Sequence, residues 1–346
     1  MIFNQYATPT FFLAFAVFLA QPVAAQKKYV FESAKMGSPF TVTICSSDSA
    51  KAARAAEAAF NKADTLNSIL SDYIDSSEIN RLSATAGQGR YVQVSPALYD
   101  ILAISQSAAA LSHGSYVITI GPVVKLWRKA RKTNTFPNKD SIALALQRTG
   151  YRYLHLDSAN RTVWLEKAGM QLDVGGLGKG FVAQIALDLI RDSGFGAAMV
   201  NAGGKIAIGD APPGTQGWLI GINVPEEKQF VMQQLLVLKN TAVATSGDVY
   251  QNLVFNGKKY SHIVNPKTGI GLTHSSNVTA IAAGGAIADW LATACSILPP
   301  KKALALIRQF NNGALLITKN KHGHIWHRES EGFAVYRYKW RHAQTE

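Results

Sequence analysis

Residues 170–208 read MQLDVGGLGKGFVAQIALDLIRDSGFGAAMVNAGGKIAI, and the pattern of this stretch changes period twice. Residues 170–174 predict a strand that runs into the glycine loop Gly175-Gly176-Leu177-Gly178-Lys179-Gly180. From 181 to 191 the apolar residues fall three and four apart, the spacing of a helix laid on a core, and Gly194 stops it. Residues 197–200 form a short strand entering Asn201-Ala202-Gly203-Gly204, and 205–208 continue beyond that turn.

Outward from this stretch the same textures recur. Toward the N terminus, 29–32 and 40–45 predict strands joined by the turn-forming Met36-Gly37-Ser38-Pro39. Residues 49–70 are alanine-rich at helical spacing, with Ser47 or Asp48 as the cap. Residues 96–111 predict a helix closed by Gly114, 141–148 another, and 153–156 with 162–166 a hairpin around Ala159-Asn160. Toward the C terminus, strands are expected at 218–224, 234–238 and 242–244, and helices at 284–297 and 300–310, divided at Pro299-Pro300. Residues 314–319, 325–327 and 333–340 read as three closing strands. Long helices mixed with mainly hairpin-connected strands predict an α+β fold of mixed, largely antiparallel sheets with flanking helices.

Residues 1–25 carry no Lys, Arg, Asp or Glu, and the apolar run 11–20 leads into Gln21-Pro22-Val23-Ala24-Ala25. Small residues at Val23 and Ala25 suit signal peptidase, so this segment is expected to be an export signal cleaved after Ala25. The run is too short for a stable membrane anchor, and no second apolar stretch is long enough to span a bilayer, so an integral membrane protein is not expected. The remainder, residues 26–346, is read as one domain with ample length for a large core. A hydrophobic content of 47% with 16% charged residues is that of a globular chain. The +13 formal charge leaves room for an anionic small ligand, but no nucleic-acid-binding motif and no basic helix with an apolar face is evident. The two cysteines, Cys45 and Cys295, lie in apolar surroundings and are compatible with a disulfide or with two buried thiols.

Three clusters could carry chemistry. The glycine loop, with Asp173 before it, suits either a tight turn or backbone approach to a phosphate, and it matches neither the dinucleotide fingerprint nor the Walker loop because Gly180 follows Lys179. Thr245-Ser246-Gly247-Asp248-Val249-Tyr250 precedes Ser261-His262, which runs into the Pro266-Lys267-Thr268-Gly269 turn and sets an imidazole among polar turn residues. Imidazole is a suitable general base for a hydroxyl, although an isolated histidine is more often structural. Asp289 and Thr293 lie four apart on a helix and therefore share a face, an oxygen pair suited to magnesium or simply an inward-facing polar pair. His322, His324 and His327 suggest zinc only weakly, and a decorated hairpin is the better reading.

Order along the chain joins these clusters. Met36-Gly37-Ser38, Leu70-Ser71-Asp72-Tyr73 with Ser77-Glu78-Ile79, Gly114-Ser115-Tyr116 with Thr119-Ile120-Gly121-Pro122 and Leu126-Trp127, Leu172-Asp173-Val174-Gly175-Gly176, Asn201-Ala202-Gly203-Gly204, Ala244-Thr245-Ser246-Gly247-Asp248, residues 261–269 and residues 289–293 follow one another. In these blocks the chain resembles the ApbE family of FAD:protein FMN transferases. The resemblance implies a magnesium-dependent enzyme that takes FAD as substrate and moves FMN to a Ser/Thr motif of a membrane-associated acceptor flavoprotein. It implies FAD contacts at Met36, Tyr73, Ser115, Tyr116, Val117, Asp173, Lys179 and Val264. It implies a magnesium site at Gly176, Asp289, Ala292 and Thr293, with Ala292 limited to its carbonyl, and a catalytic role for His262 at the acceptor hydroxyl. Val117, Lys205, Asn265 and Gln184 depart from the acidic residues usual in the family at those places. FAD hydrolysis to FMN and AMP, and flavin binding without turnover, are the competing readings.

Overall fold

The computed structural model describes residues 26–225, 231–247, 252–321 and 324–339. The chain opens with β1 (Lys27–Lys35), β2 (Ser38–Ser46), α1 (Ser49–Leu70), α2 (Glu78–Ser83), β3 (Val92–Gln93) and α3 (Pro96–Leu111). Next come α4 (Gly121–Thr133), α5 (Lys139–Gln147), β4 (Leu154–Asp157), β5 (Thr162–Leu165) and α6 (Gly178–Asp192). β6 (Ala198–Ala202), β7 (Lys205–Ile208), β8 (Trp218–Pro225), β9 (Val231–Leu238) and β10 (Thr241–Gly247) follow. β11 (Asn252–Phe255), β12 (Lys258–Ser261), β13 (Val264–Asn265), β14 (Ile270–Gly271) and β15 (Ser275–Ala282) lead to α7 (Gly285–Ile297) and α8 (Pro300–Ile307). The hairpin β16 (Ala314–Lys321) and β17 (His324–Glu329) comes last, followed by a 3-10 turn over Phe333–Tyr336.

Eight strands form one antiparallel sheet in the order β1-β2-β6-β7-β10-β15-β16-β17. The period of two along each strand divides it between two cores. Ala242 and Ala244 of β10 join the main core with α1, α6 and α7, whereas Val243 joins the opposite core beneath the β8–β9 ribbon. β15 repeats the division, with Ala280 and Ala282 on the helical side and Ile281 on the other. α1 meets the main core through a stripe of small residues, Ala52, Ala55, Ala56, Ala59 and Ala63, which lets it lie close. Asp48 starts it by accepting the Lys51 N–H at 2.9 Å. A third, smaller core gathers Val123, Trp127 and Ala130 of α4 with Ala145, Leu253 and Val264.

The α+β expectation agrees with this architecture, and several local expectations do not. Residues 170–174 are not a strand. They are largely buried, but the Leu172 N–H goes to Ser83 Oγ at 3.2 Å and the Asp173 N–H to the Ile118 carbonyl at 2.8 Å. Tertiary partners thus satisfy donors that a sheet ladder would otherwise take. α6 begins at Gly178 rather than at 181, placing Lys179 and Gly180 in its first turn. The 333–340 segment is no strand either: Phe333 is fully buried while Val335 is 80% exposed, so one side chain plugs the core and the chain turns away. Trp340 lies outside the described residues.

A basic helix with an apolar face is present after all. α4 buries Val123, Trp127 and Ala130 and exposes Lys125, Lys129 and Lys132. Pro122 in its first turn and Arg131 and Lys132 in its last are its sequence signature. Cys45 and Cys295 are free and sit in different cores. Burial pushes the Cys295 thiol up to about 12. His322 falls outside the described residues, and His327 Nδ1 pairs with Thr318 Oγ1 at 2.9 Å within the terminal hairpin. No helix among the described residues is long and apolar enough to cross a membrane.

Candidate functional site

Two glycines decide how α6 meets α7. A methyl group on Gly180 would stand 2.1 Å from the Gly285 carbonyl oxygen, and one on Gly285 would stand 2.1 Å from the Gly180 carbonyl. The helices therefore touch backbone to backbone at their first turns, which only glycine permits at this spacing. That approach brings the Gly180 N–H to Asp289 Oδ2 at 3.0 Å, where the positive end of α6 favours a carboxylate. Asp289 is 1% exposed. Its other oxygen, Oδ1, has no hydrogen-bond partner among the described residues, and Lys205 Nζ stands 3.8 Å away. Burial pushes the Asp289 carboxyl above the usual range, opposed by Lys205, the Gly180 N–H and Lys179.

One turn further along α7, Thr293 Oγ1 lies 3.3 Å from the Gly176 carbonyl oxygen and 3.3 Å from Ser246 Oγ. Gly176 has no room for a side chain, since a methyl there would come within 2.9 Å of the Tyr116 ring and 3.1 Å of the Thr293 methyl. The Tyr116 ring lies 6.3 Å from that of Trp290, and its buried hydroxyl has no hydrogen-bond partner among the described residues. Burial pushes that hydroxyl strongly upward, opposed by Ser105 and helped by the nearby carboxylates of Asp173 and Asp289. Gly176, Tyr116, Asp289 and Thr293 thus share one partly buried locus lined with oxygen. Ala292 brings no donor to it: its methyl is in the main core and its carbonyl accepts the Ser296 hydroxyl at 2.9 Å. Asp248 lies outside the described residues. No group of three or more His, Cys, Asp or Glu that would hold a metal occurs among the described residues.

Cations flank this locus. Gly203 and Gly204 take φ of 58° and 85°, which turns β6 back into β7 and starts Lys205 at the mouth of the turn. Lys205 donates to the Thr245 carbonyl. A methyl on Gly203 would lie 2.8 Å from Ser38 Oγ and 3.4 Å from Lys179 Nζ, so the Met36–Gly37 hairpin turn, the Gly203 turn and Lys179 are neighbours. Met36 has φ 51° and packs partly buried against the main core. The Lys179 ammonium is pushed down by burial and by Lys205, with Asp289 opposing.

Asp173 leads to a residue that the sequence reading missed. Its Oδ1 accepts the Gly175 N–H at 2.7 Å and its Oδ2 accepts Arg128 Nη2 at 2.7 Å. The other arm of Arg128 pairs with Asp72, and the guanidinium lies 4.1 Å from the centre of the Tyr73 ring. Tyr73 is 76% exposed, a flat aromatic surface held by a cation beneath it. Burial and neighbouring Asp72 push the Asp173 carboxyl up against the pull of Arg128. Ser115 and Val117 are buried. Ser115 also lines a cleft of about 300 Å³ with His113, Lys267 and Lys302, none of which is a partner of Asp289.

Val264 belongs to the third core, and His262 lies two residues before it. His262 is half-buried on the bend between β12 and β13. The bend is pinned by the Ser261 N–H to the Leu272 carbonyl at 2.8 Å and the Leu272 N–H to the Ile263 carbonyl at 2.9 Å. Asn265 Oδ1 accepts the Lys267 N–H at 2.9 Å, an Asx-turn that asparagine supports as well as aspartate. The turn ends at Gly269, whose carbonyl accepts the Trp127 indole N–H at 2.8 Å. The Pro-x-Thr-Gly motif therefore docks the His262 loop onto α4. Because Trp127 and Arg128 are consecutive, α4 ties that loop to the Asp173 side of the molecule.

A family model described as the ApbE family matches residues 36–317. A Treponema pallidum protein named FAD:protein FMN transferase is 33% identical over 256 residues, covering 70% of this chain and 70% of its own. A Klebsiella pneumoniae protein of the same name is 27% identical over 299 residues, covering 85% of each chain. The crystal structure of the ApbE protein from Thermotoga maritima superposes with a TM-score of 0.79 at 27% identity, covering 90% of this chain and 100% of that one. A family match over most of the chain, with the same fold throughout, establishes that the chain belongs to the ApbE family.

Proposed function

We propose that the chain binds FAD, splits its pyrophosphate and joins the FMN half to a serine or threonine hydroxyl of an acceptor flavoprotein, releasing AMP. The observation that carries this reading is the oxygen locus on α7, where Asp289, with one oxygen lacking a hydrogen-bond partner among the described residues, lies one helical turn from Thr293, whose hydroxyl is 3.3 Å from the Gly176 carbonyl. Its support from outside is family membership and the name borne by the relatives. The donor set fits magnesium, which phosphate-transfer sites hold through one or two carboxylates and the substrate's own phosphate oxygens. Gly176, Asp289 and Thr293 would hold the ion, with no contribution from the Ala292 side chain. When bound, magnesium would offset the charge that develops on the departing AMP phosphate.

The chain's own groups then divide the work. Lys179 at the first turn of α6 faces the phosphates with the helix dipole behind it. Tyr73, braced by Arg128, offers a ring on which a planar heterocycle stacks, and Asp173 accepts a hydrogen bond from the ligand when Arg128 shifts toward it. Met36, Ser115, Tyr116, Val117 and Val264 complete the wall against the flavin nucleotide. His262 takes the proton from the attacking acceptor hydroxyl as the phosphoester forms. Residues 1–25 act as an export signal, so the acceptor is a membrane-associated flavoprotein outside the cytoplasm.

The mature chain, incubated with FAD, magnesium and an acceptor domain bearing a Ser/Thr flavinylation motif, is expected to leave flavin fluorescence on the denatured acceptor with AMP in equal amount. FMN and AMP without labelling would replace transfer by hydrolysis. Unchanged FAD would reject the reading.

A further inference from the structure

Asp289 brings a buried carboxylate to the oxygen locus, and two lysines crowd it. Lys205 Nζ stands 3.8 Å from Oδ1, beyond hydrogen-bond range but close for an ion pair. That oxygen has no other polar partner among the described residues. Lys205 is not a solvent-facing arm, since its side chain is 15% exposed, it starts from the Gly203-Gly204 turn and the Thr245 carbonyl holds its ammonium. Thr245 adjoins Ser246, which touches Thr293, so the tether fixes Lys205 to the same wall that carries the Thr293 hydroxyl. With Lys179 beside it, two lysines face the Asp289 carboxylate among the described residues.

We propose that Lys205 is a tethered cation that competes with the divalent ion for Asp289 Oδ1 and holds the substrate pyrophosphate when the ion is absent. The inference rests on the flavin reading given above for its ligand, although its electrostatics concern the protein alone. An ammonium and a divalent ion that share one carboxylate oxygen repel each other strongly in a buried setting. Filling the site with metal therefore has to move Lys205 aside. Where no ion displaces it, the ammonium stays on the wall of the locus and meets the phosphate oxygens in the ion's place. Metal affinity without substrate should accordingly be weak, and substrate affinity without metal should survive.

The test uses the mature chain and its Lys205→Met variant. Manganese serves as the probe, and the free Mn(II) resonance is titrated by electron paramagnetic resonance in the absence of FAD. Removing the competing charge should tighten manganese binding about tenfold or more. FAD binding, followed by quenching of flavin fluorescence, should weaken less than about fivefold in wild type when EDTA replaces magnesium. In Lys205→Met the same change should weaken it by more than about tenfold, and magnesium should restore it. Lys205→Gln, which keeps a donor for the Thr245 carbonyl but no charge, should behave like Lys205→Met and decides the matter if the methionine variant does not fold. Manganese affinity unchanged within about twofold in a folded uncharged variant overturns the inference. Wild type that binds no FAD under either condition rejects the flavin reading, while the manganese arm still decides the role of Lys205.

Discussion

Asp289 lies under a backbone-to-backbone contact of α6 and α7 inside the main core, whereas His262 lies on a bend attached to α4 by aromatic packing and one indole hydrogen bond. The first region is fixed by main-chain atoms that no rotamer change can relax. The second rests on Trp127, Phe136 and Tyr260, with ring centres 5.0 to 5.6 Å apart, and on two-residue strands. A site assembled this way has a rigid half, suited to holding a charged ligand, and a separately anchored half suited to meeting a protein acceptor. Mutations should therefore separate ligand binding from group transfer according to which half they touch.

Asp289→Asn carries the largest expected effect. The carboxamide keeps the shape but loses the charge that balances Lys179 and Lys205, and transfer should fall about a thousandfold, or about 4 kcal/mol. Magnesium-dependent strengthening of FAD binding should vanish with it. Turnover within about tenfold of wild type would remove Asp289 from the site.

Gly180→Ala strikes the same half through packing. The added methyl cannot coexist with the Gly285 carbonyl at 2.1 Å, so α6 must move off α7 and the 3.0 Å contact from Gly180 N–H to Asp289 must break. Overpacking against backbone should cost about 3 kcal/mol, read from urea unfolding. A stable variant with wild-type FAD binding would show that the close approach is dispensable.

His262→Ala tests the other half. Loss of a general base should lower transfer by about a hundredfold while FAD affinity stays within about threefold. A collapse of FAD affinity would mean that the two halves are not separable, and that His262 is a binding group.

The sequence made the scaffold of the first half visible and concealed what organises it. The helices 49–70 and 96–111 and the turn at Met36-Gly37 carry local signals, and they form with those bounds or close to them. Residues 170–174 misled because a buried apolar segment has the composition of a strand, while its donors are taken by Ser83 and Ile118, remote in sequence. α4 escaped notice because its cationic residues obscure an apolar stripe of only Val123, Trp127 and Ala130. Arg128 could not be assigned without it, since its partners Asp72 and Asp173 lie 56 and 45 residues away. Asp289 with Thr293 was legible from helical spacing, but the orphaned Oδ1 and the neighbouring Lys205 depend on three elements meeting. Order along the chain, rather than any one cluster, marked His262.

The smallest expected effect gives the sharpest test of separability. Trp127→Phe keeps a ring against Phe136 and Tyr260 but removes part of a fully buried indole together with the N–H that binds the Gly269 carbonyl at 2.8 Å. Leaving that buried carbonyl without its donor should cost about 1–2 kcal/mol. The loss should appear as a looser His262 loop, because the neighbouring Arg128 still holds Asp72 and Asp173. Transfer should then fall several-fold, on the order of threefold to tenfold, with FAD affinity unchanged. Equal losses in both would show that α4 moves as one body, so that the ligand half and the acceptor half share a single anchor.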